Sequence, residues 1–203
     1  MPSKTEIVNM AISHLGQGDL VSNIDTDTSS EALTARLFYD IARKTALRDH
    51  PWPFATKYAA LGLIEEDPND DWEFSYQYPS DCLRFLYITG SPVATDTIPH
   101  LISGDGNRRI ILTNMEDAEC KYIRDITNTA LFQDDFVLAF SYYLASLMAL
   151  RITGDRQKML DCMSIYKRLI EDAKCNAGNE ETIDLDPDYD AIANAEESAN
   201  TQV

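Results

Sequence analysis

Residues 72–78, with the sequence W-E-F-S-Y-Q-Y, decide the fold. Trp72, Phe74, Tyr76 and Tyr78 stand at every second position, and polar residues separate them. Because successive side chains of a strand point to opposite faces of a sheet, this alternation predicts a β-strand with four aromatic side chains on one face. Such a row of aromatics is typical of a core or a subunit interface; a ligand or glycan platform is the alternative.

The two-residue periodicity extends on both sides of this strand, from about residue 57 to residue 126. Gly104-Asp105-Gly106-Asn107 lies between two apolar runs and is a strong signal for a hairpin turn. We therefore predict an antiparallel β module of about five strands. The predicted strands besides residues 72–78 are residues 83–88, 98–102, 108–112 and 119–126.

Helical periodicity lies on both sides of the β module. Ser3 with Glu6, and Thr28 with Glu31, have the spacing of a capping box, which predicts the starts of two helices. Asp134 and Asp135 predict the start of a third helix that ends before Gly154, and a fourth ends near Gly178. On the second helix, Leu33, Leu37, Ile41 and Thr45 with Phe38 and Ala42 predict the apolar face of an amphipathic helix.

Together these patterns predict an α+β protein. Residues 1–50 and 127–177 form a four-helix bundle, which an inserted β module at residues 51–126 interrupts. Pro51 and Pro53 bracket Trp52 and forbid helix continuation, which makes a stiff corner. We expect Trp52 and Phe54 to lock the bundle to the sheet at this corner, with Tyr78 and Arg84 at the same junction.

The predicted C-terminal extension, residues 178–203, differs in kind from the rest. Residues 176–203 hold eight acids and neither lysine nor arginine. Alone, such a segment buries too little apolar surface to offset the entropy cost of ordering. We therefore predict an acidic extended tail that becomes ordered on the surface of another chain. Its candidate contact residues are Ile183, Leu185, Asp186, Asp188, Tyr189, Asp190 and Ile192.

The charge balance argues against tight binding to nucleic acid. The chain has 34 acids, 17 bases and a net charge of -17, so it repels phosphate backbones. There is no apolar run of about 18 residues and no recognisable export signal, so we expect a cytoplasmic protein without a membrane partner. The scattered cysteines, which predict reduced thiols rather than disulfides or a zinc site, are Cys82, Cys120, Cys162 and Cys175.

No residue pattern nominates a reaction. His14, His50 and His100 fall on separate predicted elements, and metal ligands usually have close spacing. The acid pairs at residues 65–66 and 70–71 are expected to be solvated acids in a loop. We therefore predict no catalytic, metal-binding or cofactor-binding residue, and no enzyme.

Three stretches resemble the tail tubular protein A, or head-to-tail adaptor, family of short-tailed bacteriophages. They are residues 50–55 (H-P-W-P-F-A), residues 76–84 (Y-Q-Y-P-S-D-C-L-R) and residues 136–154 (F-V-L-A-F-S-Y-Y-L-A-S-L-M-A-L-R-I-T-G). Their order and spacing are similar to the family pattern from about residue 5 to residue 175.

The resemblance implies a non-enzymatic ring, usually of twelve subunits, in the neck of the virion and assembled in the host cytoplasm. It implies three partners: copies of the same chain, the portal protein and the tail nozzle protein. DNA would pass through the lumen without specific binding. The alternatives are another neck component, such as a stopper or head-completion protein, and an acidic DNA mimic that inhibits a nucleic-acid enzyme. A cell-wall hydrolase carried in the virion is a third alternative.

Overall fold

The computed structural model describes residues 2–16, 18–90 and 98–180, without the side chains of residues 179 and 180. Within these ranges the chain folds into four α-helices, one short 3-10 helix and seven strands in two antiparallel sheets. The chain is therefore a mixed α+β protein, as predicted. The candidate contact residues of the tail lie outside the described residues.

The four helices begin and end close to the predicted positions. They are α1 (Lys4–Leu15), α2 (Ser30–Asp49), α3 (Asp134–Thr153) and α4 (Arg156–Glu180). The capping box of α1 is confirmed, because Ser3 and Glu6 each accept a hydrogen bond from the other's backbone N–H. Helix α4, predicted to end near Gly178, is described as far as Glu180, two residues further on.

The predicted capping residue of α2 was wrong. The helix is capped by Ser29, whose hydroxyl accepts a hydrogen bond from the N–H of Ala32, and not by Thr28. Asp27 fixes the approach to this cap, because its carboxylate accepts hydrogen bonds from the N–H groups of Ser29 and Ser22. These bonds lower the pKa of Asp27 to about 2.

Helix α3 is the central helix, since α1, α2 and α4 all pack against it. By length and composition alone it is apolar enough to cross a membrane, but more than half of it is buried inside the protein. A helix in the core of a protein can have the same length and composition. Because Phe136, Phe140, Leu144 and Met148 are buried, α3 is such a core helix.

The β module contains more strands than predicted. The helix-side sheet has the order β1 (Thr56–Ala60), β7 (Glu119–Arg124), β4 (Cys82–Thr89). The outer sheet has the order β2 (Leu63–Asn69), β3 (Trp72–Gln77), β6 (Arg108–Thr113), β5 (His100–Asp105). The prediction of about five strands was wrong, because β1 is short and β2 contains acids, a proline and register irregularities that hide its periodicity.

The predicted hairpin is confirmed. Strands β5 and β6 pair in continuous register as far as Asp105 and Arg108, which leaves Gly106 and Asn107 as a two-residue loop. Gly106 has a φ of 57°, a left-handed conformation that glycine adopts without strain. A two-residue loop with glycine at its first position forms a turn whose backbone twist matches that of the flanking strands.

The three layers enclose two cores. The helix-side core contains the buried faces of the helices, together with Trp52, Ala55 and Ile123. The second core lies between the sheets and contains Tyr76, Tyr78, Ile111, Cys120 and Tyr122, with Phe74 packed against it. Three of the four aromatics in residues 72–78 therefore belong to a core, which confirms the core interpretation for them.

Two register irregularities in β4 divide its apolar residues between the two cores. Cys82, Phe85 and Ile88 belong to the core between the sheets, whereas Leu83 and Leu86 pack against the helices. A regular strand would alternate every second residue, but the irregularities shift this period to three. Strand β4 thus serves both layers.

Candidate assembly surface

Helix α2 buries a row of alanines and exposes a row of larger apolar side chains. Its buried face carries four alanines, at positions 32, 35, 42 and 46, with Tyr39 between them. On the opposite side of the helix, Leu33, Leu37 and Ile41 are 52%, 54% and 61% exposed. We call these three residues the α2 stripe. Of the predicted apolar face, Ala42 is buried and Phe38 packs against the core, but the prediction was wrong for the exposed residues Leu33, Leu37, Ile41 and Thr45.

The reversal has a physical reason. Alanines bring the axis of α2 close to α3, where Tyr39 contacts Phe140 edge to face with ring centroids 5.4 Å apart. The buried alanines and Tyr39 recur at alternating steps of three and four residues, which is itself an amphipathic pattern. This alanine row is the sequence pattern that indicates the buried face of α2. The prediction overlooked it because the leucines and the isoleucine are larger and more hydrophobic.

The α2 stripe leads at its C-terminal end into an open cleft of about 350 Å³. The cleft is lined by Thr45, Arg48, Asp49 and Arg84. Arg84 donates a hydrogen bond of 3.2 Å to the backbone carbonyl of Arg48, which brings the two arginines together. Among the described residues, neither guanidinium forms an ion pair. We call this site the Arg48–Arg84 cleft.

Helix α4 passes beside this cleft. The Tyr166 hydroxyl donates a hydrogen bond of 3.2 Å to Asp49, and the Lys174 ammonium lies 3.9 Å from the same carboxylate. Burial, assisted by the negative charge of Asp49, raises the pKa of Tyr166 well above its usual value. The part of α4 between Tyr166 and Lys174 is thereby held next to the C-terminal end of α2.

Trp52 lies at the corner between α2 and β1 and is fully buried. Its Nε1 donates a hydrogen bond of 3.2 Å to the carbonyl of Ala46, and its ring meets Phe136 edge to face with centroids 5.0 Å apart. Phe54 stacks at 6.0 Å from Trp52 and also contacts Phe136. These two aromatics join the end of α2 to the beginning of α3.

The other two predicted junction residues, Arg84 and Tyr78, lie in different parts of the structure. Arg84 joins β4 to the end of α2 through the carbonyl of Arg48. Tyr78 lies instead between the sheets, where the Arg109 guanidinium covers its ring at 3.8 Å and the Cys82 thiol donates to its hydroxyl. Burial raises the pKa of Tyr78 to about 12 and also raises that of the Cys82 thiol. Both groups therefore stay protonated at neutral pH.

Sequence reasoning missed the ion pair that joins the helices to the helix-side sheet. Arg43 is 2% exposed and donates hydrogen bonds to the carboxylate of Asp125 and the carbonyl of Ile126. Burial works to raise the pKa of Asp125, but the hydrogen bond and charge of Arg43, with the charge of Lys44, lower it overall. Arg43 falls on the alanine face of α2, which is the one sign of its burial in the sequence.

The histidines do not form a shared site. His14 on α1 stacks on Tyr142 at 3.7 Å, and its Nε2 lies 2.9 Å from the Ser141 hydroxyl. His50 follows α2 beside Trp52, and His100 lies on β5. In the described ranges, no group of three or more histidine, cysteine or acidic residues is arranged to hold a metal ion.

One of the two candidate acid pairs lies on a strand and not in the predicted loop, whereas the other lies in a turn as predicted. Glu65 and Glu66 lie on strand β2 and not in a loop, although both are exposed. Asp70 and Asp71 form the turn between β2 and β3, and both are exposed as well. Both pairs are therefore solvated, as predicted.

Comparison with known proteins adds no assignment. No family model matches the sequence, and no curated protein matches it.

Proposed function

We propose that this chain is a structural virion protein that forms a head-to-tail adaptor ring, with twelve copies stacked between the portal and the tail nozzle. In this proposal the four helices act as one bundle that forms the ring wall, and the protein carries out no reaction. It is assembled in the bacterial cytoplasm and resides in the virion neck. The resemblance of residues 50–55, 76–84 and 136–154 to the adaptor family suggests this role.

The single observation that carries the self-association is the α2 stripe. Full burial of a leucine or isoleucine side chain stabilises by about 1.5–3 kcal/mol. Since the three side chains of the stripe are half exposed already, covering them would contribute roughly 3 kcal/mol to an interface. An apolar row opposite a well-packed alanine face is left uncovered by the described residues, which favours a role in an interface between chains.

Two further exposed apolar side chains lie on an edge strand of the outer sheet. Leu101 and Ile102 of the edge strand β5 are 49% and 37% exposed. The other edge strand, β2, carries acids and register irregularities that discourage pairing with a further strand. A chain with apolar residues on its helical wall and on its outer sheet fits a position between neighbours and a stacked partner. We assign the outer sheet to the nozzle side.

Charge accounts for the passage of DNA. Without the eight acids of the tail, the net charge of -17 falls to -9 for the rest of the chain. A ring lumen that carries part of this charge would repel the phosphate backbone and let the genome slide past.

The acidic tail provides the contact with the portal in this proposal. Its acids would pair with a basic portal surface, and Ile183, Leu185, Tyr189 and Ile192 would supply apolar anchors. A portal pull-down at moderate salt tests this contact with the full chain, in which Asp184, Asp186, Asp188 and Asp190 are changed to asparagine. Loss of portal binding is expected, and unchanged binding would contradict the contact.

The decisive experiment for the function is imaging of the neck. Electron microscopy of this chain mixed with the portal protein of its own virus should show a ring stacked on the portal, with the symmetry of twelve. Native mass spectrometry of the same mixture gives the subunit count. A single copy that ignores the portal would overturn the proposal and favour the DNA mimic. A ring with a different symmetry or stacking order would contradict the adaptor function and favour a stopper or head-completion protein.

A further inference from the structure

We propose that the Arg48–Arg84 cleft and the adjoining end of the α2 stripe bind the acidic C-terminal segment of the same chain, residues 181–203, before assembly. The binding itself does not require the adaptor function. Its consequence rests on that proposed function: the docked segment covers part of the apolar surface of α2, and its release to a partner uncovers that surface.

Charge complementarity is the first argument. Arg48 and Arg84 are exposed, lie side by side and have no ion pair among the described residues. By contrast, exposed Arg108 is paired with Asp105 at 2.8 Å, and Lys44 lies 3.4 Å from Asp125. Both arginines line the same cleft, in a chain that has 34 acids and only 17 bases. Residues 181–203 contain seven acids and no base, and are the most acidic stretch available to them.

The apolar residues supply the second argument. Exposed ion pairs alone are weak, so docking needs apolar contact as well. Ile41, 61% exposed, lies one helical turn before Thr45, which lines the cleft. Residues 183–190 read I-D-L-D-P-D-Y-D, so apolar and acidic residues alternate without exception. An extended segment with this pattern presents one apolar row and one acidic row, which matches an apolar stripe that ends at two arginines.

Proximity is the third argument and favours binding within one chain. Lys174 on α4 lies 3.9 Å from Asp49, a residue that lines the cleft. Glu180, where α4 ends, is six residues further on, or about 9 Å along a helix. A ten-residue extended segment spans about 33–36 Å, so residues 181–190 reach both the cleft and the stripe. Such a short connection holds the segment at an effective concentration in the millimolar range.

Carbodiimide crosslinking of the full chain tests the proposal, because this reagent joins carboxylates to amines only at close contact. The variant Arg48→Lys with Arg84→Lys keeps both charges and supplies the amines. Peptide mass spectrometry should find both introduced amines joined to acids at positions 184–190. The matched control is Arg156→Lys, at the start of α4 and far from the cleft, which should give no such crosslink.

An equal mixture of ¹⁵N-labelled and unlabelled chains separates binding within a chain from binding between chains. The proposal expects crosslinked peptides of a single isotope composition, with a yield that stays constant from about 1 to 100 µM protein because the contact is intramolecular. The yield should fall at 1 M salt, because salt screens the attraction between the acidic segment and the two basic side chains.

Two results would overturn the proposal. One is crosslinking at positions 48 and 84 no stronger than at position 156; the other is crosslinked peptides of mixed isotope composition, which would place the segment on a second copy. Neither depends on the presence of a portal protein, so failure here is distinct from failure of the adaptor function.

Discussion

Arg43, on the buried face of α2, forms an ion pair with Asp125 at the end of β7, although 82 residues separate the two in sequence. The same guanidinium donates to the carbonyl of Ile126. This contact holds the helices before the β module to the chain segment that leads back to the helices after it. It fixes how the β module is inserted between the two pairs of helices.

Replacing Arg43 with methionine should therefore destabilise the protein. The change removes both hydrogen bonds and leaves Asp125 with Lys44 as its remaining partner. Breaking a fully buried pair costs about 3–5 kcal/mol; because Asp125 is 23% exposed, we expect about 2–3 kcal/mol here. Urea unfolding followed by circular dichroism measures the loss. Lys44→Met, which removes an exposed partner of the same carboxylate, is the control and should cost less than about 1 kcal/mol.

Trp52→Ala should lower the free energy of unfolding by about 3–5 kcal/mol, because the indole is fully buried between α2 and α3. Trp52→Phe is the matched variant: it keeps an aromatic ring and removes the bond from Nε1 to the carbonyl of Ala46. That variant should lose clearly less than the alanine variant in thermal unfolding. Equal losses in both variants would mean that the hydrogen bond, and not the packing of the ring, dominates at this corner.

Leu37→Glu should weaken self-association without unfolding the subunit, since Leu37 is already 54% exposed. The loss of one apolar anchor corresponds to about tenfold in the association constant, and a carboxylate in an apolar contact adds to it. Native mass spectrometry of the ring formed with the portal measures the effect. Leu160→Glu, at a similarly exposed leucine of α4, is the control. If both variants lose rings to the same extent, the prediction that the α2 stripe forms the contact between subunits is wrong.

The stability of the protein should fall between neutral and mildly acidic pH because of His14. Ser141 donates its own hydroxyl hydrogen to the carbonyl of Leu138, so its oxygen accepts from Nε2–H of His14. Burial lowers the pKa of His14 from its usual 6.5. The unfolded chain then binds more protons than the folded chain below pH 6.5. The stability gained from a neutral His14 is thus complete above that pH and is lost as pH falls through the lowered pKa.

His14→Gln tests this dependence, because glutamine retains an N–H donor for Ser141 and does not titrate. Urea unfolding at pH 7.5 and pH 5.5 should show a smaller difference in stability for the variant than for the unchanged protein. The same difference in both proteins would mean that the pH dependence has another source.

The helices could be predicted from the sequence because their signals are local. Ser3 and Glu6 lie three residues apart and cap α1 directly, and Gly154 ends α3 in a left-handed conformation. The hairpin at Gly106 is local in the same sense. Such features depend on a few neighbouring residues, and tertiary contacts did not override them.

The strands and the candidate surface were harder to predict because they depend on distant contacts. Strand β1 pairs with β7, more than fifty residues away, and its own five residues carry little periodicity. The exposure of Leu37 is decided by α3, which takes the alanine side of α2 instead. Helical spacing gave the right secondary structure for α2 but did not reveal which of its two apolar faces meets the core.

Strand β7 is buried on both faces: Cys120 and Tyr122 belong to the core between the sheets, and Ile123 belongs to the core beneath the helices. Neither core can therefore unfold and leave the other intact, because the loss of β7 would expose both cores to solvent. Heat should unfold the described part of the chain in a single cooperative transition, with helix and sheet signals lost at the same temperature.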